Sequence, residues 1–191
     1  MQALKDRIKA EGQNLGSGIL KIDSILNHQI DPKLMFDMGF AMAEKFRHLN
    51  VQRILTAEIS GICPAMTTGY ALNVPVVYAR KLKPITMSGP VFLETAPSHT
   101  KGTQVNLLVA AEFLHAGENV LIVDDFLASG KTLAALARMV RSARANLVGA
   151  GVVVEKSFEE GRAFMKAQQF DIPIESLVII TSMDDGRIEM A

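Results

Sequence analysis

The sequence predicts an α/β fold with a mainly parallel central sheet flanked by helices. Runs of apolar, β-branched residues alternate with segments of helical periodicity, which is typical of parallel strands joined by helices. The run at residues 120–123 is apolar on both faces, as strands buried on both sides are. The chain has 191 residues and 49% hydrophobic content, which suffices for one well-buried core. We therefore expect a single domain spanning residues 1–191.

The elements of the N-terminal half follow from periodicity and cap residues. Apolar residues at helical spacing predict a short amphipathic helix and then a longer one, which Asp31 caps and in which Pro32 occupies the first turn. Apolar runs then predict two strands on either side of a third helix. These elements are helices at residues 3–11, 32–49 and 64–72 and strands at residues 53–57 and 74–79.

The alternation weakens in residues 80–103, where prolines and a Ser-Gly-Pro turn punctuate a polar stretch. This composition predicts an excursion from the sheet with a short strand near residues 91–94. Regular alternation resumes afterwards, and a final turn at residues 184–186 leads into a last extended segment. The later elements are strands at residues 105–109, 119–123, 148–154 and 177–181 and helices at residues 133–143 and 159–169.

The stretch VLIVDDFLASGKT, residues 120–132, carries the strongest functional signal. A buried strand runs into Asp124 and Asp125, and a loop of small residues then opens a helix. Amide groups at a helix start are free and carry partial positive charge, so such a loop can wrap one phosphate. Carboxylates nearby can accept hydrogen bonds from vicinal hydroxyls, which predicts a 5-phosphoribosyl ligand. The predicted phosphate-binding residues are Ala128, Ser129, Gly130, Lys131 and Thr132.

Two other interpretations of this stretch remain open. Gly130, Lys131 and Thr132 match the end of a Walker A loop, but that motif needs a glycine where this chain has Asp125. Alternatively, the acids simply cap a helix that follows a tight turn.

Composition excludes several classes of function. The net charge is zero and the basic residues are dispersed, which argues against a nucleic-acid or anionic membrane surface. No apolar run approaches the ~20 residues of a membrane span and no signal core is visible, so we expect a cytoplasmic protein. Cys63 is the only cysteine, so neither an internal disulfide nor a cysteine-based metal site is expected.

Two further segments are candidates for a second anionic group. Ser60 and Gly61 follow a predicted strand and precede a helix, where a plain turn is the simpler interpretation. Arg80, Lys81 and Lys83 form a cationic cluster at the start of the excursion, and such a cluster is often just a solvated face. Beside a departing diphosphate, however, cations would stabilise developing charge.

Residues 120–132 resemble the signature of the type I phosphoribosyltransferases, in which an apolar strand precedes two acids, two apolar residues and a phosphate loop. The resemblance implies that family's fold, with 5-phosphoribosyl 1-diphosphate (PRPP) as a substrate and a homodimeric assembly. It implies that Asp124 and Asp125 are catalytic and that Ser60, Gly61, Arg80 and Lys81 lie on the pyrophosphate side. It also implies Mg²⁺, bound mainly through the substrate diphosphate and water rather than through protein side chains.

Residues 19–32 and 155–158 also resemble the xanthine-using, purine-salvage members of this family. The resemblance implies a small purine-binding hood, formed by about residues 1–30 and the segment after residue 155. It places Leu20, Asn27 and Lys156 against the base. An ammonium and an amide donor suit an oxygen-rich base that loses a proton readily, whereas the amine of guanine would meet them donor to donor.

The expected reaction therefore converts xanthine and PRPP to xanthosine 5′-monophosphate and diphosphate. Taken alone, Lys156 could be a surface ammonium, Asn27 a turn residue and Leu20 part of the core. Phe126 or Phe158 could stack on the purine or belong to the core. The open alternatives are an adenine or a guanine–hypoxanthine enzyme, or a regulator that senses PRPP without turnover.

Overall fold

The computed structural model describes residues 1–97, 104–184 and 186–191. In these ranges helices and strands alternate along the chain. The α-helices are α1 (Gln2–Glu11), α2 (Pro32–Phe46), α3 (Ile62–Leu72), α4 (Lys131–Ser142) and α5 (Gly161–Ala167). The strands are β1 (Gln13–Asn14), β2 (Leu20–Lys21), β3 (Arg53–Ala57), β4 (Val76–Ala79), β5 (Val91–Pro97), β6 (Gln104–Ala110), β7 (Asn119–Leu127), β8 (Asn146–Lys156), β9 (Ile174–Ser182) and β10 (Glu189–Met190).

A six-stranded sheet forms the centre of the molecule, in the order β10-β9-β8-β7-β3-β4. All neighbouring strands in it are parallel except β10, which pairs antiparallel with β9. Helices α1 and α2 pack their apolar residues on one face, and α4 and α5 pack theirs on the other. The predicted α/β fold with a mainly parallel sheet is confirmed.

Strand β8 contains one extra residue relative to β7. Val148 has no opposite residue in β7, because the register of the pair shifts at this point. Beyond this bulge, Gly149 and Gly151 face α2, where an added Cβ would press on Phe46 and Met42. The bulge therefore decides which β8 residues meet α2.

The segment predicted as an excursion is longer than expected. The strand expected at residues 105–109 forms, but as β6 it pairs antiparallel with β5 in a separate two-stranded hairpin. An isolated bridge between Arg80 and Leu108 connects this hairpin to the end of β4. The apolar side of the hairpin is buried in the cluster that includes α4, with Ala96, Leu107 and Val109 as its members. Residues 98–103 of the excursion lie outside the described residues.

Strand β7 is also longer than predicted. We expected it to end at residue 123, but it continues to Leu127, so Asp124 and Asp125 lie inside the strand. The ladder with β8 continues past both acids, since Asp124 lies opposite Val152 and Phe126 opposite Val154. The sheet therefore fixes the backbone of the acid pair.

The first thirty residues lie against the carboxyl end of the sheet and the C-terminal segment. Helix α1 buries Leu4 and Ile8, and a small β1–β2 ladder follows it. A π-helical turn at Asp23–Asn27 then leads towards α2. The Asn14 side chain donates hydrogen bonds to the carbonyls of Met183 and Arg187, at 2.7 and 3.2 Å.

Among the described residues, no helix combines the length and the apolar character needed to cross a bilayer.

Candidate active site

A cavity of about 550 Å³ opens where the carboxyl ends of β3, β7 and β8 meet the hairpin and the N-terminal segment. Ligands of open parallel sheets bind at this edge. Its lining includes twelve residues that the sequence singled out: Leu20, Asn27, Ser60, Gly61, Lys81, Asp124, Asp125, Phe126, Ala128, Gly130, Thr132 and Lys156. Segments distant in sequence thus meet around one space.

The acid pair forms the floor of this cavity. Asp124 is only 4% exposed, and the Thr56 hydroxyl lies 3.4 Å from its Oδ1. The backbone N–H of Phe126 donates to Asp125 Oδ1 at 2.9 Å. Burial raises the pKa of Asp124 well above its ordinary value, and the neighbouring Asp125 raises it further. Burial likewise raises the pKa of Asp125. Because burial disfavours the charged form of both acids, the pair suits a ligand that donates hydrogen bonds to them or carries positive charge.

The turn after β3 lies directly against the acids. Gly61 precedes α3, and a Cβ there would collide with Asp124 Oδ1 and Thr56 Oγ1. The Ser60 side chain hydrogen-bonds Asp125 and lowers its pKa, against the effect of burial. The peptide bond between Glu58 and Ile59 in this turn is cis. Only glycine at position 61 lets the turn approach the acids so closely.

The phosphate loop begins where β7 ends and closes at the first turn of α4. Gly130 is the N-cap residue of α4 and has a φ of 75°, a conformation that favours glycine. Ala128, Gly130 and Thr132 line the cavity, whereas Ser129 and Lys131 are not among its lining residues. The start of α4, where the first backbone amides have no partner within the helix, therefore lines the same cavity as the acids.

The predicted purine residues lie at the opposite side of the cavity. Leu20 is buried, Asn27 is exposed at its rim, and the Lys156 side chain is 12% exposed. Lys156 Nζ donates to the Gly18 carbonyl at 2.6 Å and lies 3.2 Å from Glu159 Oε1. Lys156 therefore joins the end of β8 to the N-terminal segment.

The two phenylalanines considered for stacking differ in position. Phe126 lines the cavity, and its ring centroid lies 5.7 Å from Lys156 Nζ. Phe158 is 40% exposed and is not part of the lining. Only Phe126 is placed to meet a base.

The residues of the predicted cationic cluster also differ in position, since Lys81 lines the cavity and Arg80 does not. Lys81 lines the cavity and lowers the pKa of both acids by its charge, although burial dominates. Arg80 is not among the lining residues, because its Nε turns towards Glu58 Oε2 at 3.7 Å. Glu58 also accepts a hydrogen bond from the backbone N–H of Lys81 at 2.7 Å.

The sequence did not single out the apolar walls. Ile19 and Ile59 are 53% and 75% exposed and face the cavity, and the hairpin adds a third wall. Alternation along residues 104–110 marked one apolar side of β6, but nothing local showed that this side would cover the acid pair. The hairpin residues in the lining are Ala96, Val105 and Leu107.

Within residues 1–97, 104–184 and 186–191, no group of three or more His, Cys, Asp or Glu side chains is arranged to hold a metal ion. The carboxylates among the lining residues of the cavity are the two aspartates and Glu58. Hard oxygen ligands of this kind fit Mg²⁺ that brings its other ligands with it.

Comparison with known proteins places the chain among enzymes. Residues 24–185 match the phosphoribosyl transferase domain family. The xanthine phosphoribosyltransferase of Deinococcus deserti is 48% identical over 97% of this chain and 95% of its own length. That of Oceanobacillus iheyensis is 43% identical, covering 98% of this chain and 96% of its own. The structure of adenine phosphoribosyltransferase from Rhodothermus marinus has a TM-score of 0.75 at 20% identity, covering 94% of this chain and all of that one.

A parallel sheet with an acid pair and a helix-start loop at its carboxyl edge defines a class of proteins that bind sugar phosphates. The chain belongs to the phosphoribosyltransferase family, and its curated relatives there are xanthine phosphoribosyltransferases. The expected type I phosphoribosyltransferase fold is thereby confirmed.

Proposed function

We propose that this enzyme transfers the phosphoribosyl group of PRPP to xanthine, forming xanthosine 5′-monophosphate and diphosphate in purine salvage. One observation carries the proposal: the acid pair, the start of α4 and the Lys156 ammonium line a single cavity. Full-length similarity to curated xanthine phosphoribosyltransferases supports the choice of base.

The arrangement assigns a task to each group. The amides of residues 128–132 hold the 5′-phosphate, while Asp124 and Asp125 accept hydrogen bonds from the ribose hydroxyls. The purine nitrogen that attacks loses its proton to solvent and forms a bond to the anomeric carbon as the bond to the diphosphate oxygen breaks, and the sugar passes through an oxocarbenium-like state. The carboxylates offset the positive charge that develops on the sugar, and Lys81 offsets the negative charge on the leaving diphosphate. Positioning and electrostatics then supply most of the rate.

In the proposed reaction Mg²⁺ binds together with the substrate diphosphate. It would neutralise charge on the diphosphate, and its ligands would be mainly diphosphate oxygens and water. The two aspartates and Glu58 are the carboxylates in the same lining, and a cation beside the buried acid pair would offset the cost of holding two negative charges there.

The purine side supports an oxygen-rich base. Lys156 Nζ has three N–H donors, of which Gly18 and Glu159 engage two, so one donor is available to a base oxygen. Asn27 offers an exposed amide, and Leu20 and Phe126 add apolar surface to the same lining. We propose that residues 1–30 and the segment after residue 155 together form the purine-binding hood.

Turnover with four bases tests the proposal. Purified enzyme with PRPP and Mg²⁺ is offered xanthine, guanine, hypoxanthine or adenine, and diphosphate release is measured. We expect the highest kcat/KM with xanthine. Equal or better use of adenine or guanine would reassign the base. Binding of PRPP without turnover on any base would favour the sensing regulator.

A homodimeric assembly remains a prediction from the family resemblance, and a cytoplasmic location remains a prediction from the sequence pattern. Sedimentation analysis of the purified chain tests the first and fractionation of producing cells the second. A monomer at the concentrations used for turnover would exclude the dimer as the working form.

A further inference from the structure

The start of α5 touches the phosphate loop backbone to backbone. A Cβ on Gly130 would lie 2.6 Å from the carbonyl oxygen of Gly161 and 3.1 Å from its Cα. Conversely, a Cβ on Gly161 would collide with the carbonyl oxygen of Ala128 and with the Leu127 side chain. Two glycines thus allow two segments to meet with no side chain between them.

The start of α5 is itself firmly held. The Arg162 guanidinium binds Glu155 with two hydrogen bonds of 2.7 and 2.8 Å, and its Nη1 donates to the Ile174 carbonyl at 2.8 Å. Glu155 is 4% exposed and also accepts from the Ser176 hydroxyl. These contacts attach α5 to β8 and β9, so α5 cannot simply move away from a new side chain at its first residue.

We propose that Gly161 is a positioning residue for the 5′-phosphate of PRPP. Its backbone packs against residues 128 and 130 and so fixes the conformation of the phosphate loop. This inference rests on the proposed function. The Ala128 carbonyl belongs to a loop whose amides must converge on one phosphate, and the Gly161 backbone limits where that carbonyl can lie. A methyl group at position 161 displaces the carbonyl and turns the amides after it out of register with the phosphate.

The predicted effect is confined to one substrate. In the proposed arrangement Lys156, at the end of β8, meets the base, and its hydrogen-bond partners are Gly18 and Glu159 rather than Gly161 or Ala128. Gly161→Ala should therefore raise the KM for PRPP roughly tenfold, leave the KM for xanthine within about twofold, and lower kcat by less than about threefold.

The experiment compares Gly161→Ala with Ala163→Gly, an exposed position on the same helix that perturbs α5 without adding an atom near the loop. Both variants are assayed with each substrate varied, and PRPP binding with Mg²⁺ is measured by calorimetry in the absence of a purine. We expect a rise in the dissociation constant of PRPP for Gly161→Ala alone. An unchanged constant, or equal rises in both KM values, would overturn the inference.

Two safeguards keep the result decisive. Arg162→Lys retains the charge but loses the paired hydrogen bonds to Glu155, so it loosens α5 without changing Gly161. We expect a severalfold rise in the PRPP dissociation constant of this variant, which can be measured even if Gly161→Ala fails to fold. Wild-type affinity of Arg162→Lys for PRPP would count against the inference. Absence of turnover in the wild type would remove the proposed function, whereas calorimetry with PRPP would still decide the role of Gly161.

Discussion

At the scale of single residues, the role proposed for Asp124 conflicts with the stability of the fold. Its carboxyl group is enclosed by Thr56, Gly61 and the neighbouring Asp125. Burial opposes the charged form, so ionising this group at neutral pH costs folding free energy. A chain selected for stability alone would have no reason to keep it.

Asp124→Asn should therefore raise thermal stability while reducing activity. Because the native pKa is raised, the cost of the charge is present at neutral pH and fades as the pH falls towards protonation. We expect the Tm at pH 7 to rise by about 3 °C, with a smaller gain at pH 5, and kcat/KM to fall by roughly 100-fold or more. Differential scanning fluorimetry and the four-base assay measure both. A lower Tm than wild type would contradict this account, and exposed Asp171→Asn is the control.

Lys156 should determine the choice of base. Lys156→Ala removes the ammonium that a base oxygen would meet, so the KM for xanthine should rise by about tenfold or more, with little change for PRPP. Hypoxanthine, which lacks the second oxygen, should be affected less. Steady-state kinetics with both bases test this, with Lys166→Ala as an exposed control. Unchanged xanthine kinetics would remove Lys156 from the purine site.

Residue type and order were enough to predict the acids and the phosphate loop, because one short segment contains all of them. Arg80 and Lys81 show the limit. They are adjacent and chemically similar, yet only Lys81 lines the cavity, whereas Arg80 Nε lies 3.7 Å from the carboxylate of Glu58, more than twenty positions earlier. Such a partner is visible only once the chain is folded.

At the scale of elements, the Glu155–Arg162 pair makes the hold on α5 dependent on pH. Burial opposes ionisation of Glu155, but hydrogen bonds from Arg162 and Ser176 outweigh it and lower its pKa. A carboxyl whose native pKa is lowered stabilises the fold fully above its ordinary value, about 4.3, and loses that contribution as the pH falls through the native pKa.

Glu155→Gln should consequently destabilise the enzyme at neutral pH and much less in acid. The Arg162 side chain is 45% exposed, so solvent screening limits the loss to about 1–2 kcal/mol at pH 7. Urea unfolding at pH 7 and below pH 4 measures the difference from wild type. A difference independent of pH would contradict it, and Glu160→Gln serves as an exposed neighbouring control.

The helices and the parallel strands were predictable because their patterns are local. Only one strand of the hairpin was clearly predictable. Strand β6 has a clear strand pattern, but in sequence residues 98–103 separate it from its partner β5. The pairing of the two strands also depends on packing against α4. Likewise, two acids suggested the end of β7, whereas pairing with β8 carries the strand to Leu127.

At the scale of the whole molecule, PRPP should stabilise the fold because its cavity is built from segments spread along the chain. At a PRPP concentration of about 100 times its dissociation constant, linkage adds about 2.7 kcal/mol, which corresponds to a Tm rise of about 5–10 °C for a chain of this size. Fluorimetry with PRPP and Mg²⁺ measures it. Ribose 5-phosphate, which lacks the diphosphate, should give a smaller rise, and no response to PRPP would contradict the cavity assignment.

The extra residue Val148 in β8 restricts where this chain can vary in length. Leu147 lies opposite Val120 and Gly149 opposite Leu121, so loss of Val148 alone would leave a regular ladder with these residues on their present faces. A single deletion between residues 149 and 156 would instead exchange the faces of everything that follows it, and Ala150 or Val152 would then point at Phe46 and Met42, in the space that two glycines now leave open. Related sequences should therefore tolerate loss of the residue at position 148, while the spacing from Gly149 to Lys156 should stay invariant.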